Sequence, residues 1–529
     1  MLINKVAKKK ILIVLSFLLI PLENTFISEA FAKDININIG IVQRFGEKEK
    51  DQLLITTDYQ NTLTIKFQNS KGHFQSLITN RITLNILSRP LSKPLLKEYI
   101  ILSDHATFET AEDNSKKWEE KGIQTEITQP GRWQVWAKRD IYKTPLLRRW
   151  LLDNLKTKGY NKPYIESTVL LNKSQATFIA NGKKYHSDYI EIIPNNHPIH
   201  VIDLEQKKRA YLGSLKLQPN AYGTYTLVNH VPVEVYLKGV VPHEIGPNAP
   251  INAIKAQTII ARTYALRNLR RFKSDDYELC ANTHCQVYYG LNGVNSKIDK
   301  AINDTKNLVL IYQNKLVDAL YSSTTGGVTA NFTDVWDGEE RPYLKTIIDS
   351  PQNNIWNFTL KPLNQEEAFR NFIKLTKGFN ETGRSAFRWE HKTTKIELAK
   401  DLRKYLVMQK HPLSNFKIIN SIKIDERSVS GRILNAIVDT DIGIIELKKN
   451  EVRSAFGPPR STLFYLEPIN DKQDKVIGYT FIGGGFGHGV GLSQYGSYNL
   501  ANLGWNEKKI LHFYYPGTQV VPLNNSIIF

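Results

Sequence analysis

The stretch VVPHEIGPNAPINAIKAQTIIARTYALRN, Val240 to Asn268, decides how this chain is organised. Asn248 is suited to cap a helix and Pro250 to its first turn, and the pattern predicts a helix running to about Arg271. At about 100° per residue its apolar side chains point nearly all round, which predicts burial. Lys255, Thr258 and Arg262 share one face, and a buried Arg needs either a partner or a cleft. Glu244 stands in the short link before the helix, flanked by Val240, Val241, Pro242 and Ile245. Apolar neighbours raise a carboxyl pKa by desolvation, as a general acid requires, whereas the following helix N-terminus favours the charged form. Taken alone, the same residue also fits a solvated loop.

Outward from this helix the chain alternates in character. Residues 33–75 and 166–240 read as strands, with runs such as LLITTDYQNTLTIKF and GTYTLVNHVPVEVYLKGVV. Between them, residues 98–166 read as strand, helix (Thr107 to Lys121), two strands and a second helix (Pro145 to Lys158). By pattern and length this unit resembles a SPOR-type peptidoglycan-binding module. Residues 363–410 carry helical periodicity, 416–469 read as strands, and from 480 the text is Gly-rich and aromatic. The expected fold is a multidomain α+β protein whose β-rich segments surround the buried helix and leave a cleft. The expected divisions are 1–32 leader, 33–97 β-rich region, 98–166 small α+β module, 167–348 core, 349–470 insert or second lobe, and 471–529 the return to the core.

The 529 residues are 41% hydrophobic, 23% charged and 10% aromatic, which excludes a disordered chain. Two Cys exclude a disulfide framework, and a longest apolar run of ten residues excludes an ordinary multi-span membrane protein. No P-loop, H-E-x-x-H or G-x-S-x-G motif is present, and GGGFGHGVG at Gly483 to Gly491 does not match the dinucleotide fingerprint.

Two further segments invite chemistry. In YSSTTGGVTANFTDVWDG, from Tyr321, the hydroxyls of Ser322, Ser323, Thr324 and Thr325 precede a Gly pair, which suits a tight turn with exposed N–H groups. In GHGVGLSQYG, His488 lies between Gly487 and Gly489, which allow close approach of a ligand, and Gln494 and Tyr495 open a helix-like run. Cys280 and Cys285 flank a short loop with His284 beside the second, leaving a disulfide, a zinc site and free thiols all open.

Together VVPHE, AQTIIARTYAL, THCQVY, STTGGVTANFTDVW with PYL, and GHGVGLSQYG with YYPGT resemble the SpoIID/LytB family of bacterial wall proteins. Their order and spacing agree over about residues 205–520, and not over 33–165. The family includes lytic transglycosylases of peptide-stripped glycan strands and enhancers of wall amidases. The resemblance implies Glu244 as the catalytic acid, and Arg262, Ser323, Thr324, His488, Gln494 and Tyr495 as ligands of the sugar. It implies no cofactor for the chemistry. Some members bind structural zinc through two Cys and two His; here Cys280, His284 and Cys285 match, one His is missing, and the spacing is one residue tighter. The partners implied are peptidoglycan glycan strands and a wall amidase, and the groove's second wall is expected from Trp356 and Trp389.

Charge and targeting agree with that setting. Lys5, Lys8, Lys9 and Lys10 precede the apolar run Ile11 to Ile20, and Ala30-Phe31-Ala32 fits a cleavage site. The formal charge is +19; removing residues 1–32 takes four Lys and two Glu with it and leaves +17. An exported basic protein meets anionic wall polymer in the periplasm or cell wall rather than nucleic acid. Membrane contact is expected only through an uncleaved leader.

Overall fold

The structure, a computed structural model, describes residues 35–527 apart from 49, 59, 70 and 353, and all counts are of those residues. The leader expected at 1–32 lies outside them. No helix among the described residues is long and apolar enough to cross a membrane.

The chain has the α+β architecture expected of it, with several separate sheets. A seven-stranded sheet runs in the order Leu279–Cys280, Asn36–Phe45, Tyr225–Pro232, Ser214–Pro219, Ile190–Pro194, Leu63–Gln68, Phe74–Thr79. Alternation drives it: Ile37 and Ile39, Leu63, Ile65 and Phe67, and Leu215 and Leu217 all point into one core. The first strand of the 33–97 segment thus pairs antiparallel with Tyr225–Pro232 of the 167–348 segment, Asn36 opposite Pro232. The long strand Arg81–His105 runs across residues 97 and 98 in a second, eight-stranded sheet, so no break separates the β-rich region from the module after it.

Within that module, α1 (Phe108–Glu119) and α2 (Pro145–Thr157) form within two residues of the expected ranges, with the hydroxyls of Thr107 and Thr144 accepting from the N–H groups of Thr110 and Leu147. Phe108, Ala111 and Trp118 of α1 pack with Trp133 and Val135 on core residues Phe272 and Tyr277. Three carboxylates of α1 hold the module to the core as well. Glu109 pairs with Arg271, Glu112 with Arg270 and Asp113 with Arg341.

The decisive stretch differs from its sequence reading in three respects. Val233–Glu244 is a helix, α3, not the tail of a β-run. Its buried Val233, Tyr236, Leu237, Val240 and Val241 recur at helical spacing, which outweighs the β preference of its valines. Pro242 sits in its last turn, and Glu244 is its final residue. The helix α4 (Ile251–Arg267) is buried nearly all round, as the pattern required. Its N-cap is Pro250 rather than Asn248, which is exposed, and it stops at Arg267, four residues short of expectation, where the side-chain amide of Asn268 donates to the Tyr264 carbonyl at 2.8 Å.

A second lobe has its own core, built on Leu398, Leu402, Phe416, Val438, Phe464 and Phe481. Its central strand Val476–Gly483 pairs with Trp389–Thr394 and Phe464–Asn470, so the lobe takes in residues past 470. The chain then returns to the core, where Leu492–Ser493 pairs in parallel with Tyr321–Ser322.

Candidate active site

Glu244 ends α3 because Pro242 and the following Gly246, at φ 86°, turn the chain away. Two donors from the helix Gln494–Asn502 close that end: Gln494 Nε2 donates to the Glu244 carbonyl at 2.7 Å, and the Tyr498 hydroxyl donates to the Ile245 carbonyl. Gly239 of α3 lies so close to residues 288–290 that a Cβ there would stand 2.2 Å from the Gly290 carbonyl oxygen. This contact lays the 286–290 segment along α3, and the Val287 N–H donates to Glu244 Oε1 at 2.7 Å.

The Glu244 carboxyl is half-buried, makes no ion pair among the described residues, and lines a cleft of about 410 Å³. Burial raises its pKa above the usual carboxylate range, opposed by the Val287 N–H and the Tyr321 hydroxyl. Glu244 stands at the negative, C-terminal end of α3, which disfavours its charged form. Behind it the Tyr236 hydroxyl donates to Gln286 Oε1 at 3.3 Å, and Gln286 Nε2 donates to the Tyr321 hydroxyl oxygen at 3.2 Å. Tyr321 therefore keeps its own proton for the carboxyl.

His488 and Ser323 line the same cleft as Glu244. The Val490 N–H donates to His488 Nδ1 at 3.0 Å, so the ring's proton is on Nε2. Burial, with Arg453 and Arg432 nearby, lowers the His488 pKa to about 3 and keeps the ring neutral. Trp336 lies against it, ring centroids 5.0 Å apart, and with Trp133 and Phe486 offers aromatic faces to the cleft. The α1 wall adds Thr107, Phe108 and Glu109.

The remaining sequence candidates lie elsewhere. Arg262 is fully buried and forms a two-pronged pair with Glu234, both contacts 2.7 Å, with a third bond to the Leu308 carbonyl. Its partner, not a cleft, satisfies it. Thr324 is fully buried and outside the cleft lining. Gln494 acts on backbone, as above, and the Tyr495 ring lies under Arg384 at 4.7 Å. Trp389 is buried and donates to the Gly485 carbonyl, Trp356 donates to the Lys361 carbonyl, and neither is among the residues that line the cleft. From that lobe it is Arg453 that reaches the cleft.

The Ser-Thr-Thr-Gly-Gly turn is exposed to a carboxylate from within. Glu381, fully buried, accepts from the N–H groups of Thr325, Gly326 and Gly327 at 2.5, 2.8 and 3.2 Å and from the Ser493 hydroxyl at 2.5 Å. Nothing in the sequence around Glu381 announced that role. Tyr321 and Trp336 were within reach, since both fall inside the quoted motif.

Cys280 and Cys285 are joined in a disulfide. Neither sulfur is then a thiolate, the form that binds zinc, and His284 alone remains of the three residues. No group of three or more His, Cys, Asp or Glu among the described residues is set to hold a metal. The loop does not fit the zinc site that the resemblance implied. Cys285, Thr283 and His284 line the cleft instead.

Comparison with known proteins now bears on this geometry. Residues 221–312, which include α3, α4 and the disulfide loop, match the family model described as stage II sporulation protein. The chain is 31% identical over 304 residues to the amidase enhancer of Bacillus subtilis, covering 53% of this chain and 40% of that protein. It is 25% identical over 331 residues to stage II sporulation protein D of the same organism, covering 58% and 80%. These matches support an assignment to the SpoIID/LytB family. An uncharacterised protein of Brachyspira hyodysenteriae is 28% identical over 317 residues, covering 59% of this chain and 73% of that relative. Residues 330–491 match a second model, described as a domain of unknown function, DUF8618. Glu244 thus comes from the SpoIID match, and His488, Trp336 and Arg453 from the second.

Proposed function

We propose that the protein is an exported lytic transglycosylase that cuts the muramic acid–glucosamine bonds of peptide-free glycan strands, with Glu244 as acid and then base. The observation that carries this reading is one carboxyl in the cleft, half-buried and free of any cation among the described residues. The cleft's other carboxylate, Glu109, is held by Arg271. Hydrolytic glycosidases ordinarily use two carboxylates, one of them to activate water or attack carbon. An intramolecular nucleophile removes the need for the second. Glu244, kept protonated by burial, gives its proton to the glycosidic oxygen as the bond to C1 breaks. An oxocarbenium-like centre develops at the muramic acid. The carboxylate left behind takes the proton of the C6 hydroxyl, whose oxygen closes on C1. The product is a 1,6-anhydro end, and Glu244 is protonated again. Trp336, Trp133 and Phe486 supply apolar faces for sugar rings, and the basic chain suits a polymer bearing carboxylates.

The test is product chemistry. Wild type incubated with peptide-free glycan should yield 1,6-anhydromuramic ends by mass spectrometry, and Glu244→Gln should yield none. The 31% identity to an amidase enhancer supports a second reading, a wall binder that stimulates an amidase without cutting glycan itself. That reading predicts no anhydro product, and stimulation of a wall amidase that survives Glu244→Gln.

A further inference from the structure

We infer that Arg453 is the carboxylate hook of the cleft, pairing with the lactyl carboxylate that a muramic acid bears once its peptide has been removed. This rests on the glycan-cleaving reading above and names the residue that would select its substrate. Four arginines deserve comparison. Arg271 lines the cleft but is spent on Glu109, the Tyr264 hydroxyl and the His284 carbonyl. Arg262 is spent on Glu234. Arg432 is fully buried against the carbonyls of Thr325 and Val328. Arg453 alone of the four lines the cleft and makes no ion pair or hydrogen bond among the described residues. It sits on the short helix Glu451–Ala455, whose Val452 and Ala455 are buried in the second lobe's core, so its position is fixed by packing rather than by polar contacts.

A half-buried guanidinium without a counter-ion is costly unless a ligand supplies one. The neighbouring cleft groups do not: His488 is neutral, and no carboxylate pairs with Arg453 among the described residues. Arg453 is also partly stripped of water, which strengthens whatever anion reaches it. A planar guanidinium suits a carboxylate. When a peptide is attached, that carboxylate is an amide, which carries no charge. The same residue therefore separates peptide-free from peptide-bearing glycan by charge.

The test uses peptide-free glycan in two forms, with its lactyl carboxyls intact or converted to methylamides. The kcat/KM for anhydro-end formation is measured for wild type, Arg453→Gln and Arg453→Lys. Binding of both glycans is measured separately in a Glu244→Gln background with and without Arg453→Gln, and melting curves check folding. Wild type should prefer the free-carboxyl glycan by roughly 10- to 100-fold, the range for a hydrogen bond to a charged group. The ratio should fall toward one in Arg453→Gln and recover in part in Arg453→Lys. The binding ratios should move likewise. A ratio unchanged by Arg453→Gln, or no preference in wild type, overturns the assignment. If no protein forms anhydro ends, the catalytic reading fails, and the binding ratios still decide the role of Arg453.

Discussion

Asp349→Asn should make the protein progressively more stable than wild type as pH rises. Asp349 is fully buried beside Glu381, and the Thr325 hydroxyl lies 2.9 Å from an oxygen of each. Beside it, Glu381 accepts from three backbone N–H groups and the Ser493 hydroxyl. Burial and that neighbouring charge push the Asp349 carboxyl up to about 8. Its unfolded value is about 3.9. Below pH ~4 both states hold the proton and nothing is lost. Between about 4 and 8 the unfolded chain gives the proton up and the folded chain does not, so stability falls as pH rises. The loss is on the order of a few kcal/mol. An Asn here keeps an oxygen for Asn380 Nδ2 and the Tyr514 hydroxyl, which lie at 2.8 and 2.7 Å, and turns an N–H toward Glu381. Thermal unfolding followed by circular dichroism from pH 4 to 8 should show the two proteins within about 1 kcal/mol at pH 4. At pH 8 the variant should melt higher, by on the order of 10 °C. A difference that does not change with pH, or one that favours wild type as pH rises, would refute the raised Asp349 pKa.

Three further outcomes are expected. The pH profile of kcat/KM on peptide-free glycan should hold through the ordinary carboxylate range of about 4.3 and fall only at higher pH, because Glu244 must be protonated and burial raises its pKa; a fall centred at the ordinary value counts against it. Gly489→Ala should lower stability by more than about 2 kcal/mol in a melting assay, since φ is +75° and the new Cβ would stand 2.2 Å from Arg432 Nη2. Reducing the Cys280–Cys285 disulfide, whose partners are five residues apart, should destabilise the protein by about 2 kcal/mol and weaken activity, because the loop leads straight to Val287 and its bond to Glu244; unchanged activity in dithiothreitol would separate the loop from the site.

What could be read from the sequence follows the range over which the deciding interactions act. Caps, helical spacing and alternation are local, so α1, α2 and α4 fall within a few residues of expectation. The valines of α3 misled because β-branched residues favour strands, while the spacing of Val233, Leu237 and Val241 carried the opposite and correct message. Side-chain roles depend on partners far along the chain, which no local pattern displays. The resemblance points to Arg262 and Gln494 as sugar ligands, whereas Glu234 satisfies Arg262 and Gln494 is occupied by a carbonyl 250 residues away in sequence. The inverse also holds. Arg453 lies in a surface-looking run, EVRSA, with no motif around it, and only the packing of the second lobe against the core brings it to the cleft. Charge satisfaction is thus the better guide to function in this fold. Among the charged groups that line the cleft, Glu244 and Arg453 are the two without a counter-ion among the described residues, and the function proposed above gives both of them a substrate group to meet.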